Sequence, residues 1–453
     1  MSNELEKDAR PAAEKVKEGG VKEHLNALVR FGGFDLFESV VDGIQNVNPE
    51  SKARRKIFLG EGNYAAERAQ LKEKLQLWID TLSSSDNVSD IIRGCEEKSE
   101  TTEKVYRQNM KNALEATADL ERSYRSVALF YKNTESDKLK NVNIMNASMD
   151  VLQDLDNTTF IDAVEAEFKD CFDRLDLRDN YGILCIPGYL GSNKVVEKWG
   201  KFCHKNKVTM VTDFQHLDSP DDVMELFQSA NLSGGDVYKS NVVMGANWLI
   251  GRPKDVAFGE EEHLHVPPSG ALAGKIYQTL MSQVTAGKKH GSLNEVDAVA
   301  FDLRKSEIAS MEKMGLVPMV NEYGKVMAFS AKTLFNGDNI GLQTYSVVRT
   351  FDYISKVLMD FLNRRAFENF NAKTQREIRA QIVKFLDGVC GPGKLIEKFK
   401  VLRFEQDPNQ KDRIFLDIHM TPYFPAKNYV FKLDGQKGDD PDSAEWQSEY
   451  AQE

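Results

Sequence analysis

The sequence is poor in cysteine, and the few it has form no pattern. Five stand at positions 95, 171, 185, 203 and 390, none in a C-x-x-C pair. An odd count without a framework predicts reduced thiols rather than disulfides. Long apolar runs are missing too. No window reaches the roughly 18 uninterrupted apolar residues of a membrane span. The opening Met1-Ser-Asn-Glu-Leu-Glu-Lys-Asp lacks the basic-then-apolar order of a signal peptide. Direct membrane insertion is therefore not expected, and the cytoplasm is. Positive charge is short as well: the net charge is -11. Phosphate binding needs clustered Lys and Arg, which argues against nucleic acid as the main partner. Proline is scarce before Leu177, with only Pro11 and Pro49, and that leaves the first third free to be helical.

What is present is clearest from Gln343 to Leu433. Val347, Phe351, Ile354, Leu358, Phe361 and Leu362 recur every three or four residues, the period of a helix with one buried face. Thr374 and Glu377 form a capping-box pattern that opens a second helix, continued by Ile378, Ile382, Val383 and Leu386. Gly388 and Gly391-Pro392-Gly393 stop it. The period then changes to two. Ile414, Leu416, Ile418 and Met420 alternate with Phe415, Asp417 and His419, and Tyr429, Phe431 and Leu433 alternate again. A rigid helix pair presenting strands is expected, with nothing catalytic in it.

Residues 1–20 read as a flexible arm and 21–178 as a helical N-terminal region. Within that region Tyr106, Met110, Ala113, Thr117, Leu120, Tyr124, Val127 and Tyr131 form a heptad seam. It suits a long helix in an intramolecular bundle or one packed on another subunit. From 179 to 340 strands alternate with helices, the mark of parallel crossovers in an α/β domain. Residues 341–433 form a C-terminal domain. From Asp434 to Glu453 seven acids stand against one lysine, so 434–453 reads as a disordered acidic tail. The fold class expected is α+β: a helical N-terminal region, an α/β middle domain, and a C-terminal helix pair with antiparallel strands.

Two stretches invite chemistry. Gly188-Tyr-Leu-Gly191-Ser-Asn-Lys194 lies between a strand and a helix, and Asp213 ends the next strand, the order of a dinucleotide-binding unit. Only two of the three glycines are there, Pro187 precedes the first, and no G-x-x-x-x-G-K-[ST] exists. An ordinary turn capped by Ser192 accounts for it equally. His263-Leu-His265 follows Glu260-Glu261-Glu262, two imidazoles and carboxylates without a third ligand at metal spacing. No catalytic, metal or cofactor residue is assigned. Val266-Pro267-Pro268-Ser269-Gly270-Ala-Leu-Ala-Gly274 is more distinctive. Its prolines block helix, Ser269 then caps one, and the small residues allow close backbone packing.

That motif, with Tyr277 beyond it, resembles the corresponding segment of contractile tail sheath proteins. Gly315-Leu-Val-Pro-Met-Val, Gly324-Lys-Val-Met-Ala-Phe-Ser-Ala-Lys-Thr-Leu334 and Tyr345-Ser-Val-Val-Arg-Thr-Phe-Asp-Tyr-Ile354 extend the resemblance. Over 180–433, and by total length, the chain looks like a divergent large sheath subunit of type VI secretion systems, the TssC family. The resemblance implies a structural, non-enzymatic subunit in the bacterial cytoplasm. It implies a small sheath subunit (TssB-like) as partner, self-association in a helical lattice, an Hcp-like inner tube, a baseplate, and a ClpV-like AAA+ ATPase for disassembly. It makes Ile414, Leu416, Ile418, Met420, Tyr429, Phe431 and Leu433 candidates for strand pairing between subunits, against an ordinary internal sheet. It makes Arg376, Arg379 and Lys384 candidates for ionic contact with the tube, against a solvated basic face. The segment Thr421-Pro-Tyr-Phe-Pro-Ala-Lys-Asn departs from the usual type VI ending. The alternatives are the sheath of a phage-like tail particle and a nucleotide-binding α/β enzyme using Gly188–Lys194 and Asp213.

Overall fold

The computed structural model describes residues 57–134, 139, 142–435 and 446–451. The expected arm at 1–20 lies outside them, as do 436–445 and 452–453 of the tail. The chain divides into two compact units, Met1–Ala113 with Ala257–Gly259 and Leu114–Val256 with Glu260–Glu453.

In the first unit, α1 (Ala65–Leu82) buries no residue. A longer helix, α2 (Val88–Lys132), begins there and buries Ile91. Asn87 opens it, its Oδ1 accepting the Ser89 N–H.

The second unit takes in the last turns of α2 and then α3 (Met149–Gln153) and α4 (Thr159–Phe172). A sheet follows. Strand β1 (Ile183–Ile186) leads through α5 (Asn193–Lys205) to β2 (Thr209–Asp213). Helix α6 (Pro220–Ala230) leads to β3 (Val242–Ala246). A side ribbon of β4 (Leu249–Arg252) and β5 (Leu264–Val266) precedes α7 (Ser269–Gln278). Helix α8 (Lys305–Met314) leads to β6 (Leu316–Glu322), which turns into β7 (Lys325–Ala328). The order is β1-β2-β3-β6-β7, the first four strands parallel and the last antiparallel.

Alternation along these strands separates two cores. Met210, Val242, Met244, Leu316 and Val320 face α4, α5 and α6. Val211, Val243, Val317 and Met319 face α7 and Leu129 of α2. The sheet is thus covered on both faces, which is why its strands read as continuous apolar runs. The apolar stretch 241–250 is divided between β3 and β4. Asn247 takes φ +66 and its Nδ2 donates to Phe301 O and Met319 O, turning the chain out of the sheet.

The C-terminal part holds α9 (Tyr345–Arg364), α10 (Ala372–Val389), and two antiparallel ribbons. One is β8 (Ile396–Gln406) with β9 (Ile414–Pro422); the other is β10 (Val430–Gly435) with β11 (Trp446–Ala451). Ile354, Ile378, Ile382, Leu386, Ile396 and Phe404 form its own core. The α+β class holds. Two details differ from expectation. The cap of α10 is Asn371, whose Oδ1 accepts from Lys373 and Thr374 N–H, not Thr374. And Trp446–Ala451 is a strand, not disordered tail: it pairs with β10, and Lys432 meets Glu449 at 3.3 Å across the ribbon. Local charge suggested disorder, whereas a partner strand supplies the backbone bonds that sequence cannot show.

Candidate assembly surfaces

The Val266–Gly274 motif is a joint. The Ser269 N–H at the start of α7 donates to Asp213 Oδ1 at 2.8 Å, and the Gly188 N–H donates to Asp213 Oδ2 at 2.9 Å. So Asp213 caps α7 from another strand, the role expected of Ser269. Asp213 is fully buried, and burial pushes its carboxyl up to about 7, against the pull of those N–H donors. Further along α7, a Cβ on Gly270 would lie 2.5 Å from Ser126 O and one on Gly274 2.4 Å from Phe130 O. The small residues let the backbones of α7 and α2 touch. Within the subunit, then, α2 does not pack by its heptad seam, which corrects the internal-bundle expectation and leaves packing on another subunit open. The face of α2 that packs carries Arg122, Arg125, Ser126, Leu129 and Phe130, while Leu120 and Tyr124 of the seam stay exposed. A backbone contact made by glycines outweighed the apolar stripe.

The dinucleotide-like loop is filled by the protein itself. Its Gly188 N–H is taken by Asp213, and a Cβ on Gly188 would lie 2.5 Å from Met149 of α3. A Cβ on Gly191 would meet Gln153, whose Nε2 donates to Tyr189 O. Ser192 caps α5 by accepting from Val195 N–H, the ordinary-turn reading. The histidines are not gathered with their acidic neighbours. Glu260 pairs with Arg252, which holds its carboxyl down at about 2. His265 stacks on His216, ring centroids 4.1 Å apart, and His263 accepts from Lys254 N–H. Among the described residues no three His, Cys, Asp or Glu are placed to hold a metal ion.

Helix α9 ties the α/β part to the C-terminal ribbons. Tyr345 Oη accepts the Thr285 N–H at 2.7 Å, and Arg349 donates to Ile276 O at 3.1 Å, at the end of α7. Lys356 donates to Asn180 Oδ1 and Tyr181 O, each at 2.7 Å, and burial pushes its amine down to about 8. Asp360 accepts the Leu177 N–H. Sequence showed the helix but not these polar anchors, whose partners lie far away in the chain.

The candidate strand residues separate into two groups. Leu416, Ile418 and Met420 pack on the C-terminal core, with β9 bonded to β8, so these side chains serve the subunit itself. Ile414 is exposed. Tyr429, Phe431 and Leu433 are exposed as well, 63%, 51% and 55%, on a ribbon paired only with itself among the described residues. Both two-stranded ribbons present outer edges. Arg376, Arg379 and Lys384 are exposed on α10, whose buried side carries Ile378, Ile382 and Leu386.

Three family models match this chain. The type VI secretion system TssC/VipB central domain matches 112–336, the TssC/VipB-like C-terminal domain 344–452, and the TssC/VipB-like N-terminal region 21–110. No curated protein matches. Similar solved structures include the helical sheath of the anti-feeding prophage in its contracted state. It is 15% identical with a TM-score of 0.45, over 69% of this chain and 81% of that one. They also include the contracted sheath complex of the PVC extracellular contractile injection system, 16% identical with a TM-score of 0.40, over 55% and 68%. A sheath tail protein from Listeria innocua is 11% identical with a TM-score of 0.35, over 53% and 56%.

Proposed function

The chain belongs to the TssC/VipB family of type VI secretion systems and is a structural subunit of a contractile sheath, and from that premise we propose how it assembles. It pairs with a small TssB-like subunit in the bacterial cytoplasm, polymerises as a helical lattice on a baseplate around an Hcp-like tube, and contracts to drive that tube outward. A ClpV-like AAA+ ATPase takes the spent sheath apart. Its output is mechanical work rather than a chemical product.

The observation that carries this reading is the pair of C-terminal ribbons. Each has only two strands, and β10 exposes Val430 and Leu433 to solvent, with Tyr429 exposed just before it. Single proteins usually protect such edges. In a polymer, strand addition between subunits covers them with main-chain hydrogen bonds that survive rigid-body movement. The edge of β9 receives a strand, and β10 supplies one, so Ile414, Tyr429, Phe431 and Leu433 work between subunits. Arg376, Arg379 and Lys384 form an ionic contact with the tube, a weak one suited to sliding. The units 21–178, 179–340 and 341–433 would serve as outer helical region, sheath body and inner domain.

Co-expression with a TssB-like small sheath subunit tests the pairing. Val430→Lys with Leu433→Lys should leave the soluble heterodimer intact and abolish tubes. Tubes of wild-type length from that double variant would contradict the strand-exchange assignment.

A further inference from the structure

Phe367 is a bulky aromatic in a place that gives the subunit nothing for it. It lies in the turn between α9 and α10, with φ +65 and a relative exposure of 107%. Past a helix end, a left-handed residue is usually glycine or asparagine, because a Cβ is strained there. Lys207 and Glu295 share the left-handed backbone but are not large apolar side chains. Asn231 and Asn247 are of the tolerant type, and Tyr323 with Gly324 forms the two-residue turn between β6 and β7. The Phe367 ring has no such turn to satisfy and no apolar neighbour to repay its exposure. Its flanks, Arg365 and Glu368, pair with each other at 2.8 Å and hold the turn in shape. The sequence thus keeps both a strained backbone and a fully wet ring at a rigid tip.

We propose that Phe367 is an assembly anchor that a second copy of this chain buries in the sheath, a proposal that rests on the polymer reading above. An open helical lattice needs heterologous contacts, a knob on one face meeting a hole on another. The knob is on the C-terminal helix pair. A hole of fitting chemistry is on the α/β part, a cleft of about 480 Å³ beside α4 and α5. Leu155 gives it apolar carbon, Phe202 lies buried in its wall, and Lys194, Lys198, Lys201 and Lys205 line it together with Glu165 and Glu197. Lys201 already sits over the Tyr238 ring at 5.5 Å, so cation–aromatic pairing is in use at this edge. A buried aromatic at a repeated contact is the usual hot spot, and every subunit would use it once.

The test compares wild type with Phe367→Asn, each co-expressed with the small subunit and without inner-tube protein. Asparagine accepts the left-handed backbone, so the thermal midpoint of the heterodimer should be unchanged or higher, which separates this effect from misfolding. Tube formation should need a concentration at least about tenfold higher. Benzoylphenylalanine at position 367 should cross-link, in tubes, to residues 155–205 of another copy. Phe367→Asn tubes at the wild-type concentration would overturn the proposal, as would cross-links to the small subunit instead. Failure of wild type itself to form tubes would strike at the sheath reading and not at Phe367.

Discussion

The carboxylate of Asp213, at the end of β2, accepts the Ser269 N–H at the first turn of α7, Oδ1 to N 2.8 Å. With the Gly188 bond on the other oxygen, one buried side chain ties two loops of the sheet to the helix on which α2 rests. Asp213→Ala would leave two buried N–H groups unpaired. The expected loss is on the order of 3 kcal/mol, read from urea unfolding. A loss under about 0.5 kcal/mol would show that water replaces the carboxylate freely.

Gly274→Ala tests the helix contact. The added methyl would lie 2.4 Å from Phe130 O, a backbone atom that cannot swing aside. We expect about 2 kcal/mol of destabilisation although alanine favours helix. An unchanged or raised unfolding midpoint would mean that α2 and α7 separate easily.

Acid should loosen the corner where His216 and His265 stack. Burial, then the neighbouring His216 and His263, pushes His265 down to about 4, and burial lowers His216 also; Asp218 works the other way on both rings, Glu262 raises His216, and Arg122 lowers both. The unfolded imidazole binds its proton near 6.5, the folded one only near 4. The unfolded chain therefore takes up more protons in that window, and the stability these rings contribute falls as pH drops from 6.5 towards 4. Asp213 has the opposite slope, since its folded pKa of about 7 lies above the ordinary 3.8. The two are separated by mutation. His265→Phe should lose less stability than wild type between pH 6.5 and 4; an equal loss would remove the histidines from the account.

Much of this was legible in the sequence. The helix through Val347, Phe351, Ile354 and Leu358 followed from its period, and it is present. Resemblance in the Val266–Gly274 motif pointed to the family. What escaped depends on separation in space. The seam on α2 has good heptad spacing, but two glycines 140 or more residues later chose the opposite face. Asp213 completed the order of a dinucleotide-binding unit because sequence cannot say that Met149 and Gln153 cover the loop. Phe367 carried no pattern at all; only its φ and exposure set it apart.

The ribbon β10–β11 should matter to the polymer and little to the subunit. Leu433→Lys alone is expected to change the stability of the heterodimer by no more than about 0.5 kcal/mol, since the side chain is 55% exposed. It should nevertheless shorten or abolish tubes. A large drop in subunit stability would mean that the ribbon folds onto its own chain.

Electron microscopy of the negatively stained chain, expressed alone and with a TssB-like small sheath subunit, is the most direct test of two-component assembly. Hollow, striated tubes are expected in the co-expressed sample and none from the chain alone. A monodisperse monomer in both samples, with no assembly under any ratio of the two proteins, would contradict two-component assembly.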